Sequence, residues 1–373
     1  MLHSSGTSIV TDYDQSRNLF RAMAAQFGAS LETIVVPSKS ESDLRVDLAY
    51  FEPIRSATNL IVISSGVHGV EAPLGAEIQR NLIEDLAVEA YPRNDTGYLI
   101  IHAVNPFGFR HKRRVTESNV DLNRNCVTSL EHFSIKNPGY ERLDAILNPA
   151  KAYEGSVAEF IKTLIKLLGH SKTMGYQAIV HAIAAGQYQY ERGIMYGGEQ
   201  HEPQIKSLRN IVSSVAQAYA KVLILDIHTG LGPRGKMQLL SNHSSNHPQS
   251  EILTEIFGKN RVIHTDAKNY YANTGDFSCF LASELSAHGS TVVPIVAEFG
   301  TLDTQDWLGS AATISRLITE NQIWWHGSKS KEHERAAKHR FDELFCPSDP
   351  EWQRSTVHMA RSDFSTFVNR FSS

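Results

Sequence analysis

Two apolar patterns alternate along the chain. Compact runs rich in branched residues, the kind that form strands buried on both faces, recur at NLIVISS (59–65), GYLIIHAVNP (97–106), VLILDIHTG (222–230) and TVVPIVAEFG (291–300). Between them, apolar residues fall at helical spacing. One such helix covers 13–29 and stops at Gly28, another begins near Pro73, and others cover 154–170, 173–186 and 205–220. Two shorter strand-like stretches, LETIVVP and DLAYFEP, precede the first buried run. Buried strands separated by helices predict an α/β fold with a mixed, mostly parallel twisted sheet flanked by helices. The stretch 241–250 (SNHSSNHPQS) reads as a polar loop, and 328–373 as C-terminal helices interrupted at CPSDPEW.

Composition narrows the picture without deciding function. A length of 373 residues allows about two average domains or one large α/β enzyme. With 41% hydrophobic and 20% charged residues, disorder, collagen-like repeats and a long coiled coil are excluded. A net charge of −4 is too balanced for a dedicated nucleic-acid or membrane-surface binder. Three cysteines, Cys126, Cys279 and Cys346, imply no disulfide framework and fit a reducing compartment. The N-terminal MLHSSGTSIVTDYDQSR has neither a basic region nor an apolar core of the secretory type, and no run approaches the ~20 residues of a membrane span. A cytoplasmic protein is the expectation.

The candidate chemistry gathers where the buried runs end, the place where open α/β sheets collect functional residues. After the first comes SSGVHGVEAP, with His68 and Glu71 beside glycines that leave room for a ligand. Alone, an H-x-x-E pair is weak and reads equally as a turn histidine beside an exposed glutamate. After the second run comes NPFGFRHKRRVTESNVDLNRN. Its Arg110, Lys112, Arg113 and Arg114 read as a solvated basic loop, but Asp121, Asn123 and Arg124 suit carboxylate recognition. In LILDIHTG, Asp226 and His228 stand two apart and share a strand face. This is the arrangement of a carboxylate orienting a metal-bound imidazole, and equally of a buried structural pair. In VAEFGT, Glu298 follows an apolar run, a costly place for a carboxylate without a partner or a task. Two histidines and a glutamate with a second glutamate to spare are the inventory of a catalytic His₂Glu zinc site.

These motifs resemble the M14 zinc carboxypeptidase superfamily, which includes the aspartoacylase and succinylglutamate desuccinylase branch. Within it the chain is similar to the DUF2817 group of metallopeptidases. The resemblance rests on SSGVHGVEA, NPFGF followed by VDLNRN, DIHTGLGP and AEFGT in that order, with GQYQYERGIMYGG and AKHRFDELFCPSDPEW extending it over nearly the whole chain. It implies a zinc-carboxypeptidase-like fold with one Zn²⁺ held by His68, Glu71 and His228. It makes Glu298 the general base, Arg114 (alternatively Arg113) the oxyanion arginine, and Asn123 with Arg124 the clamp for a substrate carboxylate. It also implies that Asp121 orients the first zinc histidine and that Tyr271, or its neighbour Tyr270, caps the substrate.

A site drawing on residues 68 to 298 argues for a single zinc-hydrolase domain over 1–373, with a helical insertion at about 131–205 and a C-terminal helical extension at about 328–373. The long stretch between Asn123 and His228 departs from the digestive enzymes and favours a small substrate. The expected activity is hydrolysis of an amide bond in a small carboxylate-bearing peptide. An N-acyl amino acid deacylase of aspartoacylase type and a non-catalytic zinc-binding regulatory module are the alternatives. Neither nucleic acid nor membrane is expected as a partner.

Several further features read as decoys. His243 and His247 stand four apart, but the surrounding Ser, Asn and Pro248 argue for a loop over a chelating helix turn. His333-Glu334 begins an H-E-x-x-H that fails at Ala337. Cys126 reads as a small buried thiol.

Overall fold

The four apolar runs form the middle of one eight-stranded sheet. Its order is β1 (Ser30–Val35), β2 (Arg45–Phe51), β4 (Thr96–His102), β3 (Asn59–Ser65), β5 (Lys221–Thr229), β8 (Thr291–Phe299), β6 (Met237–Leu240) and β7 (Val262–Ile263). The central strands β4, β3, β5 and β8 run parallel, and β6 and β7 run parallel to each other. Antiparallel pairing joins β1 to β2, β2 to β4 and β6 to β8, so the mixed sheet expected from the sequence is the one found. This structure, a computed structural model, describes residues 9–155, 157–265, 274–302 and 307–373.

Alternation along the central strands divides the core in two. Leu60, Val62, Val222 and Ile224 face one layer of helices. Ile61, Ile63, Leu223 and Leu225 face the other. The first layer holds α9 (Pro203–Ala216) and α11 (Phe277–Ser286), which insert Leu208, Val212, Phe280 and Leu281. The second holds α1 (Tyr13–Gln26), α2 (Ala72–Ala87), α10 (Gln249–Phe257) and the C-terminal α14 (Pro350–Ser372), which bring Phe20, Leu74, Phe257 and Phe367. Every residue of β3 and β4 is buried, which explains why these runs lack the polar alternation of a one-sided strand.

The rest of the chain gathers at the carboxyl end of the sheet. The short helices α3 (Pro106–His111) and α4 (Leu122–Asn125) follow β4. Then come α5 (Pro138–Glu141), α6 (Asp144–Leu147), α7 (Val157–Met174) and α8 (Tyr176–Ala184). Tyr140, Leu143 and Ile183 from this group share a small core with Ile318 of α12 (Trp307–His326). Finally, α13 (Lys331–Phe345) buries Leu344 and Phe345 against Val70 and Leu317. Among the described residues, no helix is long and apolar enough to cross a membrane.

Candidate metal centre

Glycine backbones set the positions of the first two motifs. Gly66 takes a φ of +69° where β3 ends, turning the chain so that His68 caps a 3₁₀ turn over Gly69–Glu71. A Cβ on Gly69 would lie 2.1 Å from the carbonyl carbon of Gly108, so SSGVHG and NPFGF meet backbone to backbone. Asn105 secures the junction: its Oδ1 accepts from the Gly108 N–H at 2.8 Å, and its Nδ2 donates to the Arg114 carbonyl at 3.2 Å. The invasive contact thereby fixes where His68, Glu71 and Arg114 stand relative to one another.

His68, Glu71 and His228 converge, with one ligand atom of each lying within 4.8 Å of the others. Nδ1 of His68 is 2.8 Å from Glu71 Oε1, and Nδ1 of His228 is 2.9 Å from Glu71 Oε2. The opposite ring nitrogens face carboxylates. His68 Nε2 lies 3.2 Å from Asp121 Oδ1, and His228 Nε2 lies 2.8 Å from Asp226 Oδ2. Asp226 is in turn held by Ser64, whose hydroxyl donates to Oδ1 at 2.7 Å. Asp121 caps α4, accepting from the Asn123 N–H, and takes the Arg114 Nε–H at 3.0 Å. All three convergent side chains are buried.

In parallel β5 and β8, His228 is the register partner of Glu298, so the two sit side by side at the strand ends. Glu298 Oε1 accepts from the Leu231 N–H at 2.8 Å. Burial and the neighbouring Glu71 charge raise its carboxyl to about 7, against the lowering pull of His228, Leu231 and Arg114. Glu71 goes the other way. Burial would raise it, but His68 and His228 outweigh that and hold it well below the ordinary carboxylate range. Burial likewise disfavours charge on His228, yet Asp226 and Glu71 push it well above the usual imidazole value. Two adjacent glutamates thus have opposed shifts, one held as an anion and the other poised to titrate near neutrality.

These groups line one end of a cavity of about 520 Å³. Arg114 lies along it, its Nη1 3.5 Å from Glu71 Oε1. Arg124 is buried in its wall, with Nε donating to the Ala184 carbonyl and Nη1 to its neighbour's, that of Asn123. Asn123 lines it too, and its Oδ1 accepts from the Phe277 N–H at 3.0 Å. The remaining wall is largely apolar, including Val180 and Ile183 of α8, Ile314 and Leu317 of α12 and Phe345 of α13.

The structure separates the basic residues that stand together in the sequence. Arg113 turns away from the cavity and is 1% exposed. Its Nε pairs with Glu320 at 2.7 Å, and its guanidinium lies 4.2 Å from the Trp324 ring centre. Arg110 pairs with Asp14, Glu41 and Asp43, and Lys112 with Asp342. Of the four cations in RHKRR, Arg114 alone lines the cavity. Tyr270 and Tyr271 lie outside the described residues. His243 and His247 occupy a loop, with rings stacked 4.0 Å apart. Cys126 is buried, which pushes its thiol well up.

Asp276 also lines the cavity while capping α11 through the Cys279 N–H, and nothing in its motif marks it as a site residue. Its position before an apolar helical run signals the cap alone. The Leu231 and Thr229 N–H groups that hold Glu298 and Glu71 carry no residue-type signal at all.

This fold is shared with a solved structure. Bovine thrombin-activatable fibrinolysis inhibitor, solved with a tick carboxypeptidase inhibitor, is 13% identical with a TM-score of 0.51, and the alignment covers 97% of each chain. Carboxypeptidase A from Helicoverpa armigera is 14% identical, with a TM-score of 0.47 over 88% of this chain and 73% of that one. At such identities the likeness of the first is one of fold. A search of curated protein sequences finds no match. The profile of the family described as "Protein of unknown function (DUF2817)" matches residues 10–359, and the chain belongs to that family.

Proposed function

We propose that the protein is a zinc-dependent amide hydrolase of metallocarboxypeptidase type, acting on a small peptide with a free carboxylate. The observation that carries this reading is the convergence of His68, Glu71 and His228 beside a buried Glu298 and the cavity-lining Arg114. The donor set fits zinc: two imidazoles and one carboxylate leave a position open for water. With each Nε2–H donating to Asp121 or Asp226, the Nδ1 lone pairs of both histidines are directed to the common centre. A divalent ion bound there supplies Lewis acidity toward water and a substrate carbonyl.

The chain's own groups account for the rest of the chemistry. Leu231 holds Glu298 through Oε1, leaving the second carboxylate oxygen to take the proton of the attacking water. The water oxygen adds to the carbonyl carbon, and the displaced electron pair settles on the carbonyl oxygen, where the Arg114 guanidinium opposes the growing charge. As the C–N bond breaks, Glu298 returns its proton to the departing nitrogen, giving a carboxylic acid and an amine. Arg124, whose other donors are tied to backbone carbonyls, presents its guanidinium with the Asn123 amide to the substrate's terminal carboxylate. The apolar wall from α8, α12 and α13 suits aliphatic or aromatic neighbours of that carboxylate.

The test is a panel of peptides with free or amidated C-termini beside N-acyl amino acids, with zinc-loaded protein and released amine as the readout. Hydrolysis of the free-acid peptides, weakened on amidation and in Arg124→Gln, is expected. A charged hydrogen bond of this kind contributes about 1.5–3 kcal/mol, so Arg124→Gln should cost roughly 10- to 150-fold in kcat/KM. Turnover of N-acyl amino acids alone would assign a deacylase, and no turnover of either class would leave a zinc-binding module.

A further inference from the structure

A second cavity, of about 440 Å³, lies on the other side of α12. Ser310, Thr313, Ile314 and Leu317 of that helix line the metal-centre cavity, whereas Ala312, Ser315, Arg316, Thr319 and Gln322 line the second. Four cationic side chains from four segments converge on it: Lys151, Lys166 of α7, Arg316 of α12 and Arg340 of α13. Among the described residues, its lining includes no carboxylate. Two described acids are engaged at its margin. Glu154 lies 3.9 Å from Lys151 and pairs with Lys329 at 2.8 Å, and Glu343 accepts from the Ser348 N–H.

Arg316 makes this lining more than a solvated basic surface. Its Nη1 is buried and has no hydrogen-bond partner among the described residues. Burial and the like charge of Arg340 both act against its protonated form, with Glu343 opposing them only in part. A desolvated guanidinium N–H without an acceptor is costly, and facing a second guanidinium across a concavity adds repulsion. Both costs are relieved by an anion carrying several acceptor oxygens. Guanidinium forks match tetrahedral oxyanions, and ammonium groups complete a cradle around the spread charge. The volume is that of a small-molecule site.

We propose that this cavity is a binding site for a small phosphate-bearing anion, gripped by Arg316 and Arg340 with Lys151 and Lys166 at the rim. The site is separate from the metal centre and does not depend on its chemistry.

Inorganic pyrophosphate is the probe, titrated calorimetrically into the full chain at low salt. Because pyrophosphate also coordinates divalent ions, the titration is repeated with the His68→Ala/His228→Ala protein. One equivalent should bind in both. Affinity should fall about tenfold in Arg340→Gln, and further in Arg316→Gln/Arg340→Gln, since each removes a charged hydrogen-bonding group. Arg340 is exposed, so its single variant tests the site without disturbing packing. Raising salt should weaken binding in the wild type more than in Arg340→Gln. Absence of binding, or equal affinity in wild type and Arg340→Gln, would overturn the proposal.

Discussion

Asp226→Asn isolates what the buried carboxylate behind His228 would contribute to the proposed metal site. The carboxylate is fully buried, takes the Ser64 hydroxyl on one oxygen at 2.7 Å and faces His228 Nε2 with the other at 2.8 Å. Asparagine preserves this shape. Its Oδ1 can accept from His228 Nε2–H while its Nδ2 meets the Ser64 oxygen, so the charge is what changes. Losing such a partner costs typically 10- to 100-fold in metal affinity, or about 1.4–2.7 kcal/mol. Competition for zinc against a chromophoric chelator at fixed pH measures the change, with unfolding of the metal-free variant as the control for folding. Asp226→Ala should lose more, because it strands both His228 Nε2 and the Ser64 hydroxyl in a dry site. Zinc affinity of Asp226→Asn within twofold of wild type, with folding intact, would mean that Asp226 does not support a metal ligand.

Two other predictions concern pH. The buried Glu298 carboxyl, raised to about 7, must be ionised to accept a proton, so kcat/KM should fall as pH drops below neutrality. A bound dication favours the ionised form, which moves this limb below 7; a rate independent of pH between 5 and 7 would remove Glu298 as the base. His102 acts on stability instead. Burial and Arg80 depress its imidazole to about 3, and the ring stacks on Phe20 at 4.9 Å. Unfolding at pH values between 3 and 6.5 therefore takes up a proton there. Its contribution is full above pH 6.5 and is lost as pH falls toward 3, at about 1.4 kcal/mol per pH unit. Urea unfolding at pH 7 and 5.5 should show a smaller pH effect in His102→Gln than in wild type, and an equal effect would contradict this.

How much of this was legible in the sequence follows from where the information is stored. The strands β3, β4, β5 and β8 are runs of buried residues, so composition reveals them. By contrast β6 and β7 have four and two residues, mostly half-buried, and exist through pairing with β8 and each other. Nothing local marks them. The polar loop at 241–250 is cut short for the same reason, since α10 begins at Gln249. At the site, His68, Glu71, Asp226, His228 and Glu298 stand out in the sequence as polar residues in or just after apolar runs, and the fold brings them together. Arg113 and Arg114 are chemically equivalent until the fold sends one to Glu320 and the other to the cavity. The cavity wall was hidden as well, because Ile183, Leu317 and Phe345 are ordinary apolar residues of helices far apart in the chain. The H-x-x-E spacing does not by itself set where His68 and Glu71 stand; the packing of Gly69 against Gly108 fixes the turn that carries both.

In the proposed mechanism His68, Glu71 and His228 would hold one zinc ion, and Glu298 would take the proton of the attacking water. Its most direct test is a paired measurement on Glu298→Gln: zinc content by elemental analysis and hydrolysis of a free-acid peptide. About one zinc per chain, as in wild type, is expected, with turnover reduced by roughly 10²–10⁴. Zinc bound but turnover unchanged, or zinc retained in full by His68→Ala/His228→Ala protein, would contradict it.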